Sequence, residues 1–384
     1  MLFDFEQPTE VLLTRIAHLK TVLHQITNSS VLDSPDMRDD LINTTVDFLR
    51  SEFFDAIEGG FYRQDPSGFQ FVPFHNAILA EYLLLADKVF YHGEPRFYGL
   101  ALLDNLLNNF WRESKNTIAG DRHYSISETP FIISRNRLAS VLNLDELNLL
   151  AALIGENNQT TNRHWTLCFR KPLKDAASDI SMPQKQAQII QSIIVDRLKQ
   201  LQGKAYATMG DRVSLNTPDR CQMLMALIQA LICYGVERFQ ESAQQISQLL
   251  TKELVSRQPD INDLTCLEEQ LNIACTLIEY LQVSFDTVIL STVVQWLNGI
   301  DAALSFNFTP FGQSQLKMLV TVIDRLFQVS PDLLTFSLNN QWTKVKMDNH
   351  LAIHCVANNQ RGIAIKQQLL AQYNVKQKIF ELPN

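Results

Sequence analysis

Apolar positions recur along this chain at three- and four-residue intervals, the period of an amphipathic helix. Val11, Leu12, Ile16, Leu19, Leu23 and Ile26 make one such series, and Leu41, Val46, Leu49 and Phe53 another. A further helix is expected from 73 to about 89. Across 95–111, Leu100, Leu103, Leu107 and Phe110 share a face that Leu106 and Trp111 widen. Helices follow at about 184–202, 218–235, 237–256, 263–282, 284–298 and 312–328, with stop signals at Gly203, Gly235, Pro259 and Pro331. Residues 114–182 break the rhythm. Their polar clusters (NNQTTNRH), short apolar runs and two brief helical pieces in 135–153 read as an insertion or an elaborated connection. The tail changes period again: VKMDNHLAIHCVA reads as a strand, 362–373 as a helix and QKIFEL as a closing strand.

Many antiparallel helices on short links make either a solenoid or a closed toroid. A solenoid repeats about every 34–47 residues, and no such repeat runs through this sequence. The expected fold is therefore all-α, an (α/α)6-type six-hairpin toroid whose irregular loops collect over one mouth. Ten or eleven long helices fall short of twelve, so the ring is either incomplete or filled by the short pieces in 135–153. Residues 1–340 would form the toroid, including the loop-rich insertion at about 114–182. Residues 341–384 would add a strand-helix-strand tail packed on it.

Composition narrows the function classes. The 384 residues are 46% apolar and 19% charged, with only 13 glycines and 13 prolines, which suits long elements and short connections. A net charge of -8 without a basic run argues against nucleic acid as a partner. No apolar stretch reaches the roughly 18–20 residues that span a bilayer. The opening MLFDFEQPTEVLLTRI carries acids where a secretory signal carries Lys or Arg, so a cytoplasmic location is expected. Cys168, Cys221, Cys233, Cys266, Cys275 and Cys355 form no C-x-x-C pair and have no histidine at metal-ligand spacing, so reduced, structural thiols are expected. His350 and His354 lie four apart in a strand pattern, about 13 Å from each other, too far for one metal. G-x-G-x-x-G and Walker patterns are absent. No metal or cofactor is expected.

The stretch 55-DAIEGGFYRQDPSGFQFVPFHNAILAEYLLLA-86 concentrates the candidate chemistry. Gly59 and Gly60 fit a left-handed or otherwise Cβ-free turn between helices. Phe61 is read both as a plug beneath that turn and as a stacking surface for a sugar. His75 follows Pro73 at a helix N-terminus, where the dipole disfavours its charged form, so a neutral imidazole is expected there, as a cap or as a ligand. Asp55 and Asp121 fit caps or braces of neighbouring loops.

From 55 to 65 (DAIEGGFYRQD) the chain resembles the YyaL-like, or spermatogenesis-associated-protein-20-like, family, whose pattern there is D-x-[LI]-x-G-G-F-x-R-Y-x-x-D. Asp55, Gly59, Gly60, Phe61 and Arg63 match, with Asp65 nearby; Val72, Pro73 and 76–80 (NAILA) match the flanks of the following V-P-H-F-E-K-M-L-Y-D-N-A-L-L-A. In the same order, 121–134 (DRHYSISETPFIIS) is similar to the family's D-A-D-S loop and RNRLASVLNLDEL to the helix after it. Asp211, Arg212 and 223–231 (MLMALIQAL) are similar to its D-K…W-N-G-L-M-I segment, and PFGQ at 310–313 to its P-S-G-N turn. The likeness spans about 5–384, and it implies a six-hairpin toroid related to N-acylglucosamine 2-epimerases. The family's thioredoxin-like domain has no counterpart here. The departures fall on polar positions of the mouth. The H-F-E-K-M-L-Y-D block is reduced to Phe74 and His75, and the second acid of D-A-D becomes His123. W-N-G is replaced around 220–222, and the paired acids before the next helix become Cys266, Leu267 and Glu268.

Two readings follow. In the first, the chain is a divergent, non-catalytic toroid that binds a small sugar or a protein partner through a mouth built from 59–76, 121–134 and 211–222. A separate thioredoxin-like protein is one candidate partner. In the second, it is a carbohydrate isomerase, epimerase or glycoside hydrolase with a rearranged acid/base set. His75, His123 and Asp121 are then the catalytic candidates, and Phe61, Arg63, Asp65, Asn76, Asp211 and Glu268 the ligand-binding ones, with Tyr62, Phe71 and Phe74 as an apolar wall.

Overall fold

Helices form where the apolar period is three to four, and the described residues are mostly helical with several short strands. The computed structural model describes residues 35–51, 53–65, 68–87, 93–112, 117–119, 122–124, 132–155, 163–206, 213–214, 217–257 and 263–306, with the single positions 16, 19, 20, 23 and 322. The chain divides into two compact units, Met1–Leu215 and Asn216–Asn384.

In the first unit, the first element described end to end is α1 (Pro35–Leu49), which turns Leu41, Thr44, Thr45, Phe48 and Leu49 inward. Three short strands follow: β1 (Phe54–Asp55), β2 (Gly60–Asp65) and β3 (Gly68–Phe71). Next come α2 (Pro73–Ala86) and α3 (Glu94–Asn105), the latter running into a π-helical turn at Leu106–Phe110. Then β4 (Trp111–Arg112), β5 (Thr117–Ala119), β6 (Arg122–Tyr124) and β7 (Ile132–Ser134) lead to α4 (Arg135–Ala139) and α5 (Leu144–Ile154). The unit closes with β8 (His164–Thr166), α6 (Leu173–Asp179), α7 (Gln184–Tyr206) and β9 (Val213–Ser214).

Four strands pair in the order β1-β2-β3-β6, three in the order β4-β5-β9, and β7 with β8. All of these pairings are antiparallel. α2 is buried almost all round, from Asn76 through Ala86, as befits a helix through the middle of a unit. Aromatic rings fill the space between sheet and helices. Phe61 stacks on Phe48 at 4.9 Å, Phe71 on Phe110 at 4.4 Å, and Phe54 meets Tyr98 edge-on at 5.2 Å. The two brief helical pieces expected in 135–153 are α4 and α5. A capping box opens α5: Asn143 Oδ1 accepts from the Glu146 N–H, and Glu146 Oε2 from the Asn143 N–H.

The described residues of the second unit form a run of helices: α8 (Thr217–Tyr234), a 3-10 turn at Glu237–Phe239, α9 (Gln240–Ser256), α10 (Leu264–Leu281) and α11 (Thr287–Phe306). α8 packs on α9 and α10, and α9 also on α11. Leu224, Leu227, Ile246, Leu250, Leu271, Ile278, Val293 and Leu297 make the core. A charged cluster ties three of the helices together. Glu253 accepts from Thr217 Oγ1 at 2.6 Å and from Arg220 at 2.8 Å, and Arg257 spans Glu253 at 2.7 Å and Glu269 at 2.8 Å.

The helices expected at 218–235, 237–256 and 263–282 fall within a few residues of α8, α9 and α10. The one expected to end near 298 runs on to Phe306. The structure departs from the sequence reading at the Gly-Gly-Phe corner. Instead of a turn passing directly between two helices, the corner opens the strand β2. Phe61 and Tyr62 are neighbours on opposite faces of that strand and both are buried, so the alternation that marks a half-exposed strand is missing. Among the described residues no helix is long and apolar enough to cross a membrane. The expected helix at 312–328 (apart from Val322), the tail at 341–384, the PFGQ turn, Cys355, His350 and His354 lie outside the described residues.

Candidate functional site

The corner at 55–76 is assembled from its backbone outward. Gly59 has φ +69°, the left-handed region that favours glycine, and its carbonyl accepts from Asn105 Nδ2 at 2.9 Å. Just before it, Asp55 is fully buried. Its Oδ1 accepts from the Ile57 N–H at 2.9 Å and, more weakly, from the Glu58 N–H at 3.4 Å; its Oδ2 accepts from Gln202 Nε2 on α7 at 2.8 Å. Burial pushes the Asp55 carboxyl up to about 7, against the pull of these hydrogen bonds. Asp55 is thus a brace, as one of its sequence readings had it.

That brace has a pH signature. The folded chain holds the Asp55 proton between the unfolded value near 4 and about 7, so this group favours folding at the acid end and loses that contribution as pH rises through 7. Asp55→Asn keeps the acceptor for Ile57, and Gln202 can turn its amide to accept from the new Nδ2. Chemical denaturation of wild type and variant from pH 4 to 8 should therefore diverge by on the order of 2–4 kcal/mol, the variant gaining relative stability as pH rises. Parallel profiles would place the titration elsewhere.

Asn76 does for the strand what Asp55 does for the turn. It is fully buried in the first turn of α2. Its Oδ1 accepts from the Phe61 N–H at 2.7 Å, while Nδ2 donates to the Phe61 carbonyl and to the Val72 carbonyl, each at 3.0 Å. Its polar atoms are engaged with the backbone on both sides. Phe61 packs between Phe48 and Phe53, which is the plug reading of that residue.

Two candidates are less enclosed than this frame. Arg63 is exposed on β2, opposite Gln70 of β3, and Gln70 is in turn opposite His123 of β6. The register therefore sets Arg63, Gln70 and His123 in one cross-strand row. His75 is half-buried in the first turn of α2, whose N-cap, Val72, supplies no side-chain cap. Burial first, and the Arg63 charge second, hold its imidazole down at about 4. The expectation of a neutral His75 at neutral pH thus rests on desolvation and a neighbouring cation.

Asp65 ends β2, and its side chain, like that of His123, lies outside what is described; Asp121 and Asp211 lie wholly outside it. Glu268 is half-buried on α10 in the second unit. Sequence reasoning passed over Glu58, Asp104 and Lys199. Asp104 adjoins Asn105, which holds the Gly59 carbonyl, and Lys199 lies one turn before Gln202, which holds Asp55. Two hydrogen bonds thereby bring three distant segments to one place. Burial raises the Glu58 carboxyl, Lys199 draws it down and Asp104 pushes it up. A glutamate between Asp55 and Gly59 was visible in the motif; its partners come from α3 and α7 and left no local mark. Among the described residues no group of three His, Cys, Asp or Glu side chains is placed to hold a metal ion. Neither a scan of family models nor a search of curated proteins finds a match to this chain.

Proposed function

We propose that this chain is a divergent six-hairpin toroid, akin to the YyaL-like and N-acylglucosamine 2-epimerase-like proteins, that binds a small ligand or a protein partner at the corner 59–76 without transforming it. The observation behind this reading is the engagement of Asp55 and Asn76, kept from the family pattern, with the backbone around Gly59 and Phe61. Those side chains shape the corner and present Arg63 and His75, and neither is left to move a proton to or from a sugar.

A second reading, a carbohydrate isomerase or hydrolase with a rearranged acid/base set, draws support from Glu58. Burial first, and the Asp104 charge with it, raise this half-buried carboxyl against the pull of Lys199, which is the direction a general acid needs. One assay separates the two. The purified protein is offered hexoses, N-acylhexosamines and nitrophenyl glycosides, and no turnover is expected. Turnover abolished by His75→Ala, Asp121→Asn or Glu58→Gln would replace the binding reading with the enzymatic one. Size exclusion of the same preparation with a purified thioredoxin-like protein reads the partner that the resemblance implies.

A further inference from the structure

We propose that the ligand of this corner is a small hydroxylated molecule bearing one oxyanion group, a phosphate ester or a carboxylate, gripped by Arg63 with His75 beside it. The inference rests on the binding reading above and specifies its ligand.

Three observations converge on it. Arg63 is presented to solvent on the second strand of a four-stranded sheet, not laid into the interior, and its planar fork suits the paired oxygens of an oxyanion. The Arg63 charge bears on His75, which stands in the first turn of α2. Its imidazole is neutral near pH 7, so it offers one N–H and one lone pair, able to donate to an oxyanion and to accept from a neighbouring hydroxyl. Finally, the backbone segments that carry them are tied together. Asn76, the residue after His75, is bonded on both its amide oxygen and its amide nitrogen to the backbone of Phe61, two residues before Arg63. The strand bearing the guanidinium and the helix turn bearing the imidazole are thereby locked together before any ligand arrives, which lowers the ordering cost of binding.

The full chain is titrated by calorimetry with inorganic phosphate, glucose 6-phosphate, glucuronate and glucose, alongside Arg63→Gln and His75→Gln. The oxyanion-bearing sugars are expected to bind and glucose not to. Arg63→Gln should weaken binding about tenfold or more while leaving the melting temperature of the unliganded protein in place, because Arg63 is exposed. His75→Gln should weaken the sugar ligands more than inorganic phosphate. Whether glucose 6-phosphate or glucuronate binds more tightly identifies the oxyanion. Glucose binding that Arg63→Gln leaves unchanged overturns the anionic ligand and keeps the binding reading. No affinity for any of the four overturns the inference, and the protein-partner experiment then decides whether the binding reading survives.

Discussion

Asn76→Ala is expected to cost about 3–5 kcal/mol, measured as a drop in the urea midpoint at unchanged slope. The truncation takes the Asn76 hydrogen bond from two buried backbone groups, the Phe61 N–H and the Phe61 carbonyl, at about 1–3 kcal/mol each. The Val72 carbonyl is spared, because it also accepts from the Asn76 backbone N–H at 3.1 Å. Asn76→Asp makes a sharper test. An ionised aspartate still accepts from the Phe61 N–H but sets its other oxygen against the Phe61 carbonyl; protonated, it can donate again. Its penalty should therefore grow as pH rises, whereas that of alanine should stay flat. A loss under about 1 kcal/mol for alanine would mean that the aromatic packing around Phe61, and not Asn76, holds the strand to the helix.

Gly59→Ala should be nearly as damaging, at about 2–4 kcal/mol. A Cβ there would stand 2.7 Å from the Leu102 nitrogen and 3.0 Å from the Ala101 carbonyl carbon, on a residue already at φ +69°. Both obstacles are backbone of α3, so relief requires the helix itself to shift. Gly60→Ala meets a side chain instead, the Phe71 ring at 2.8 Å. It is expected to cost less. Thermal melts of the two variants check the order, and an equal or larger loss for Gly60→Ala would locate the tight contact in the stack of Phe71 on Phe110.

Much of the helical order was legible because it is local. α8, α9 and α10 bury one stripe each, and the stripe is written in the sequence at its own period. Gly59 was legible for a similar reason, since paired glycines mark a backbone that a side chain would obstruct. β2 was not. With Phe61 and Tyr62 buried on opposite faces, the strand carries no alternation to read. The site was legible in part. Arg63 and His75 stood out by residue type, and their relation through Asn76 and Phe61 became evident only once the hydrogen bonds were drawn. Glu58, Asp104 and Lys199 were hidden because what gathers them is a pair of side-chain-to-backbone and side-chain-to-side-chain bonds between remote segments.

The ties around Gly59 also have an order in time. Asn76 reaches Phe61 across 15 residues, Asn105 reaches Gly59 across 46, Cys168 reaches the Ser51 carbonyl across 117, and Gln202 reaches Asp55 across 147. A ribosome delivers these partners one after another. The hairpin and the first turn of α2 can close while most of the chain is unmade, and each closure shortens the effective loop for the next. Unaided, the last link would cost about 2 kcal/mol more in chain entropy than the first. Until α7 has emerged, the Asp55 carboxyl lacks its Gln202 donor and has only the amides of its own turn. A nascent chain at that stage holds a nearly finished corner around an unfinished carboxylate, the point at which a chaperone that shields half-made interiors would be most needed.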